Sequence, residues 1–178
     1  GVNKVDAWVA KINSSGDEQW NKNYGSNEDD IANSVQQTSD GGYIVAGHKN
    51  NKPWVFKLDQ NGSIKWNYNG SGSYTAWSAK QTSDGGYIIS KGDVIKLNSQ
   101  GSVVWYSDET SGINSVQQTT DGGYVGTGGT SIIKLDGNGN IEWKDSFLTS
   151  NWNSSDIQQT NDEGYIVSGY EVSYNPSY

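Results

Sequence analysis

Apolar positions along this chain come in short runs, separated by clusters of Gly, Asn, Asp and Ser, and the runs recur as a set of four. In the clearest set they are Asn33–Thr38, Tyr43–His48, Trp54–Leu58 and Ile64–Tyr68, here called A, B, C and D. The four segments alternate or run apolar, and segment B is apolar on both faces, the pattern of a sheet covered on both sides. Segment A is smaller and more polar, as suits an innermost strand lining a narrow channel. No stretch carries the 3.6-residue stripe of an amphipathic helix. The A–B connection, Ser39-Asp40-Gly41-Gly42, and the C–D connection, Asp59-Gln60-Asn61-Gly62, hold the Asp-Gly, Gly-Gly and Asn-Gly pairs that accept positive φ in hairpins. The C–D turn recurs as Asn13–Gly16, Asn98–Gly101 and Asp136–Gly139, and its last glycine suits a left-handed position beside a β-bulge.

Two phrases keep fixed spacing through four copies. Gln-Thr is followed by Gly-Tyr at Gln37 to Tyr43, Gln81 to Tyr87, Gln118 to Tyr124 and Gln159 to Tyr165. Lys is followed by Trp at Lys11 to Trp20, Lys57 to Trp66, Lys96 to Trp105 and Lys134 to Trp143. Four antiparallel strands in each period of about 40 residues describe the blade of a β-propeller. The chain opens with C and D (Ala7–Ile12, Glu18–Asn23) and closes with A and B (Ser155–Thr160, Tyr165–Val172), so its two ends are complementary halves of one blade. The expected fold is therefore all-β: one domain over residues 1–178, a four-bladed propeller of four-stranded antiparallel sheets. Its blades cover about 31–70, 75–109 and 113–147, with a fourth made of 154–178 and 1–24. Pairing of Gly164–Val172 with Asp6–Ile12 would close the ring and remove its exposed edges. A piece of a larger propeller, or a homo-oligomer in which two chains make eight blades, satisfies the same phase.

The unit resembles a repeat of secreted and cell-surface proteins of bacteria and archaea, written Ser-Val-Gln-Gln-Thr-x-Asp-Gly-Gly-Tyr-Ile-Val-x-Gly and then Lys-Leu-Asp-x-Asn-Gly-x-Ile-x-Trp. Residues 34–47 and 57–66 match it almost letter for letter. It is more distantly similar to the quinoprotein-like propeller repeat. The resemblance implies a propeller in an extracellular or cell-surface setting. It implies no active site, because the shared residues are turn and packing residues.

Composition narrows the function classes. Of 178 residues, 32% are hydrophobic, yet eight Trp and eleven Tyr give material for a core, and 23 Gly against two Pro indicate tight turns. With no Cys, disulfides, thiolate metal sites and thiol catalysis are unavailable. A net charge of −8 disfavours nucleic acid, and no apolar run is long enough for a membrane-spanning helix.

Candidate chemistry follows from where the spacing varies. A–B and C–D turns lie at one end of such a ring, B–C and D–A connections at the other. Gln-to-Tyr and Lys-to-Trp intervals never change, whereas Trp-to-Gln across D–A takes 17, 15, 13 and 16 residues. Rigid scaffolds present function on variable loops. The expected ligand-binding face therefore holds Trp77, Trp152, Tyr74, Tyr106, His48, Asp29, Asp30, Asp108, Glu109 and Asn153. Flat aromatic faces beside amides and carboxylates suit a protein surface or a glycan. The periodic Trp20, Trp66, Trp105 and Trp143 are expected to pack between blades. Asp136-Gly137-Asn138-Gly139-Asn140 starts like a calcium loop, but Ile141 stands where glycine is required and no bidentate Glu follows, so no metal is expected. No cofactor is expected either. His48 is the sole histidine and no nucleophile–base set, phosphate loop or zinc spacing occurs. The expectation is a non-enzymatic binding or structural module, with a carbohydrate-binding lectin as the alternative.

Overall fold

The computed structural model describes residues 4–72, 75–107, 110–145 and 151–173, and in these it contains sixteen strands and no helix. They are β1 (Ala7–Ile12), β2 (Glu18–Tyr24), β3 (Asp30–Gln37), β4 (Tyr43–Lys49), β5 (Lys52–Leu58), β6 (Ile64–Asn69), β7 (Ser78–Gln81) and β8 (Tyr87–Ser90). There follow β9 (Val94–Leu97), β10 (Val103–Ser107), β11 (Ser115–Gln118), β12 (Tyr124–Gly128), β13 (Ser131–Leu135), β14 (Ile141–Asp145), β15 (Trp152–Gln159) and β16 (Tyr165–Glu171). Three complete antiparallel sheets, β3–β6, β7–β10 and β11–β14, lie between a β1–β2 pair and a β15–β16 pair.

The turns explain why the sequence repeats so strictly. In each A–B turn the residue before the conserved Gly is left-handed: Gly41 at φ 78°, Gly85 at 77° and Gly122 at 86°. The last copy places Glu163 there at φ 66°, a position that costs a side chain about 1 kcal/mol. In the C–D turns a register shift falls between Lys57 and Leu58 and between Lys134 and Leu135, the expected bulge.

The core lies between neighbouring sheets. Val45, Trp54, Phe56 and Leu58 pack back onto Ala7, Val9 and Tyr24, whereas Ile44, Ala46 and Val55 pack forward onto Ala79, Tyr87, Ile89 and Ile95. The central strands therefore bury both faces, as their unbroken apolar runs require. Ile88 and Val94 continue the stack onto Val116, Tyr124 and Ile133, and Val125 and Ile132 onto Ile157.

The expected pairing of Gly164–Val172 with Asp6–Ile12 is not formed within the chain. β1–β2 and β15–β16 remain separate two-stranded sheets, and the molecule is an open arc of blades. Each half-blade is instead held by its own hairpin and by packing onto the neighbouring complete sheet, and Trp8, Ile12 and Ile166 on the unpaired edges stay exposed.

Candidate functional site

The two ends of the blades differ in kind. At the A–B and C–D end of the three complete blades, a lysine, an aspartate and a threonine form a repeated device. Lys57, Lys96 and Lys134 are 3% exposed, and their ammonium groups bind Asp40, Asp84 and Asp121 at 2.9, 2.8 and 2.9 Å. Each carboxylate also accepts from a threonine hydroxyl, Thr38, Thr82 or Thr119, and from a glycine amide, Gly42, Gly86 or Gly123. Thr38 and Lys57 hold the Asp40 carboxyl well below the ordinary range, as Lys134 and Thr119 do for Asp121. Partial burial works against this at Asp84, but Lys96 and Thr82 prevail and lower it to about 2. The sequence displayed both halves of this device in its repeated phrases. Only the fold shows that they touch, because each Lys lies on the third strand of its blade and each Asp in the turn between the first two.

The periodic tryptophans act between blades, as expected. Trp20, Trp66 and Trp105 stand edge-on to Tyr43, Tyr87 and Tyr124 of the following blade at 5.8, 5.4 and 5.5 Å. Each also covers a C–D glycine. A Cβ on Gly101 would lie 2.5 Å from Trp66, and one on Gly139 would lie 2.6 Å from Trp105. Those glycines are fixed by close approach as well as by φ.

The opposite end carries the candidate binding residues, and they do not converge on one pocket. Asp30 is fully buried: its carboxylate accepts from the Ser26 amide and, at 3.0 Å, from the Asn50 amide. It ties the first D–A connection to the Asn50-Asn51 turn, whose residues are both left-handed at φ 50° and 56°. Although expected on the ligand face, Asp30 is turned inward because two backbone amides need an acceptor there. Asp29 is exposed and accepts from the Val5 amide at 3.0 Å. His48, at the end of β4, is partly buried with Nδ1 3.3 Å from Thr75 Oγ1, which also accepts from Asn33 at 2.8 Å.

Trp77 precedes β7 and is 48% exposed. Tyr106 is exposed on β10 beside Tyr68, whose phenol is pushed up by burial and then by this neighbour. Close by, Lys91 and Asp93 form a largely buried ion pair at 2.7 Å in the β8–β9 connection, with no signal in the repeated phrases of the sequence. Trp152 and Asn153 begin β15 opposite Glu171 and Tyr170, so they belong to the flank of a strand pair rather than to a loop. They line a groove of 520 Å³ with Ile166 and Tyr170. Tyr74, Asp108 and Glu109 lie outside the described residues.

Among the described residues no three His, Asp or Glu side chains gather as a metal site. Asp136 spends its carboxylate within its own turn, accepting from the amides of Asn138 and Asn140 at 2.9 and 2.8 Å. Asp59 does the same with Asn61 and Ser63. The acidic residue at this position is thus an ordinary turn acceptor.

No family model matches the chain, and no curated protein matches it in sequence. Solved structures do match in shape. The WD40 β-propeller domain of Doa1 superposes with a TM-score of 0.71 at 13% identity, over 88% of this chain and 52% of that one. BamB from Moraxella catarrhalis gives 0.66 at 16% identity over 92% and 53%, and virginiamycin B lyase from Staphylococcus aureus gives 0.68 at 13% over 96% and 64%. The chain spans about half the length of the solved propellers it matches. At these identities the likeness concerns the fold alone, and the fold is that of a β-propeller.

Proposed function

We propose that the chain is a non-enzymatic, extracellular or cell-surface module that recognises a protein or a glycan through its B–C and D–A connections. The observation that carries this reading is the division of labour between the two ends. In the three complete blades the repeated Lys, Asp and Thr side chains are committed to holding the scaffold, while length variation and exposed side chains such as Trp77 and Asp29 gather at the other end. Scaffolds of this kind present recognition on the face that is free to vary. His48, the sole histidine, has Nδ1 3.3 Å from Thr75 Oγ1, and among the described residues it belongs to no cluster of three His, Asp or Glu side chains. That supports a binding role over catalysis.

The extracellular setting rests on the resemblance of the repeat to surface proteins, and the glycan alternative rests on the exposed indole of Trp77. The test is binding of the labelled domain to whole cells and to a glycan array, alongside Trp77→Ala. Cell binding that is lost in the variant supports the proposal. Equal binding by both proteins, or none by either, defeats it. A blank array with cell binding intact removes the glycan alternative.

A further inference from the structure

Each internal blade is completed by four repeated contacts, and the two ends of the chain hold the separated halves of a further set. The first contact is the pairing of strand B with strand C, seen as Tyr43↔Leu58, Val45↔Phe56 and Gly47↔Trp54. The second is the buried Lys–Asp pair. The third is a tryptophan covering the C–D glycine of the following blade, with its indole donating to that turn at 3.2 Å from Trp20 to Gln60 and from Trp66 to Ser99. The fourth is a glutamine accepting from the A–B turn of the preceding blade: Gln81 from Ser39, Gln118 from Ser83 and Gln159 from Thr120, at 2.8, 2.8 and 2.9 Å.

The missing set is split between β16 with its neighbours and β1 with its own. Lys11 occupies the position of Lys57, and Asp162 that of Asp40, yet among the described residues neither has an ion-pair partner. Asp162 retains the threonine and glycine contacts of its counterparts and lacks only the lysine. Trp143 is 39% exposed and covers none of the C–D glycines, while Gly16 has nothing within 4 Å where Gly62, Gly101 and Gly139 each meet an indole. Gln37 and the Asn161 amide are the remaining halves of the glutamine series. The strand edges agree. Trp8 is 61% exposed where the equivalent Trp54 is 2%, and Ile12 is 63% exposed where Leu58 is fully buried. On the other edge Ile166 is 61% exposed where Ile44 is fully buried.

We propose that the two edges join head to tail between two copies of this chain, β16 of each pairing with β1 of the other, to close an eight-bladed ring. The register transfers from β4–β5: Tyr165 opposite Ile12, Val167 opposite Ala10 and Gly169 opposite Trp8, with Lys11 meeting Asp162 and Trp143 meeting Gly16. Unpaired strand edges recruit a strand with this geometry, and the opposite charges complement each other within the new blade. The occupant is a second copy because the chain's own edges stay apart in the arc. The arc also fills about half of propellers such as Doa1 and BamB, so one more arc completes the turn. Two unlike patches generate a closed ring when the rotation closes after two copies. The groove beside Trp152, Ile166 and Tyr170 is covered in this assembly.

The 178-residue chain should sediment at twice its 19.4 kDa mass. Lys11→Asp and Asp162→Lys, each alone, place like charges in both joints and should shift the protein to monomer. An equimolar mixture of the two should dimerise again, since one joint becomes wild type and the other reversed but complementary. The double variant K11D/D162K should dimerise as well. A wild-type monomer, a mixture that stays monomeric, or a polymer that grows with concentration overturns the proposal. If a single variant loses its β-sheet circular dichroism, the double variant decides: folded and monomeric, it too overturns the idea.

Discussion

The two ends of each blade use the same amino-acid vocabulary for opposite purposes. At the A–B and C–D end, Trp, Tyr, Lys and Asp sit at fixed spacing and are consumed by one another: indole on glycine, ammonium on carboxylate, hydroxyl on carboxylate. At the B–C and D–A end, Trp77, Tyr106 and Asp29 are of the same types but face outward. Residue type therefore does not separate scaffold from site in this protein. Periodicity does, because a contact repeated between successive blades must repeat its residues, whereas a surface offered to a partner need not.

The largest expected break in this comparison is Trp66→Ala. It removes the indole from Gly101 and Tyr87 and opens a gap between two blades, which should cost about 3 kcal/mol in chemical denaturation. A loss below about 1 kcal/mol would mean that the joint does not rely on the indole. Next is Asp84→Asn, which leaves the buried Lys96 ammonium with the Leu97 carbonyl and a neutral amide. We expect a loss of about 2 kcal/mol, short of a fully buried pair because the carboxylate side is nearly two-thirds exposed.

The same pair gives the protein an acid-sensitive term. The Asp84 carboxyl is lowered to about 2 when folded, so its contribution is complete above the unfolded pKa of about 3.9 and fades as pH falls toward 2. Melting temperature followed from pH 6 to 2 should drop more steeply in wild type than in the variant. Parallel curves would refute the linkage.

Glu163→Gly is expected to sharpen the comparison in the other direction. It restores the turn glycine of the three other copies at φ 66° and should stabilise by about 1 kcal/mol, read as a rise in melting temperature. The smallest structural effect belongs to Trp77→Ala, below about 0.5 kcal/mol for a half-exposed residue, even though it should abolish recognition. A large destabilisation there would move Trp77 from the site to the scaffold.

Much of the scaffold was legible because turns and two-sided burial leave strong local marks. The Asp-Gly-Gly-Tyr turn, the bulged C–D turn and the unbroken apolar runs of β4 and β5 each announce a strand boundary or a sandwiched strand. Less of the site was legible. Asp30 reads like Asp29 in sequence, and only the fold brings the Ser26 and Asn50 amides to one of them. Trp152 reads as a loop aromatic like Trp77, but the strand register places it on the exposed flank of β15. The Lys91–Asp93 pair left no trace because it occurs once.

By itself the sequence determined the all-β class, the four-strand unit, the hairpin turns and the complementary phase of its ends. All of these follow from local backbone preference and from hydrophobic period, which neighbouring residues along the chain already express. The tertiary structure alone decided which lysine meets which aspartate, which carboxylate faces solvent, and that the arc stays open. Those outcomes depend on contacts that the strand register brings together, 17 positions apart for Lys57 and Asp40, 12 for Lys96 and Asp84 and 20 for Asn50 and Asp30, and on indole, glycine and tyrosine packing between successive sheets.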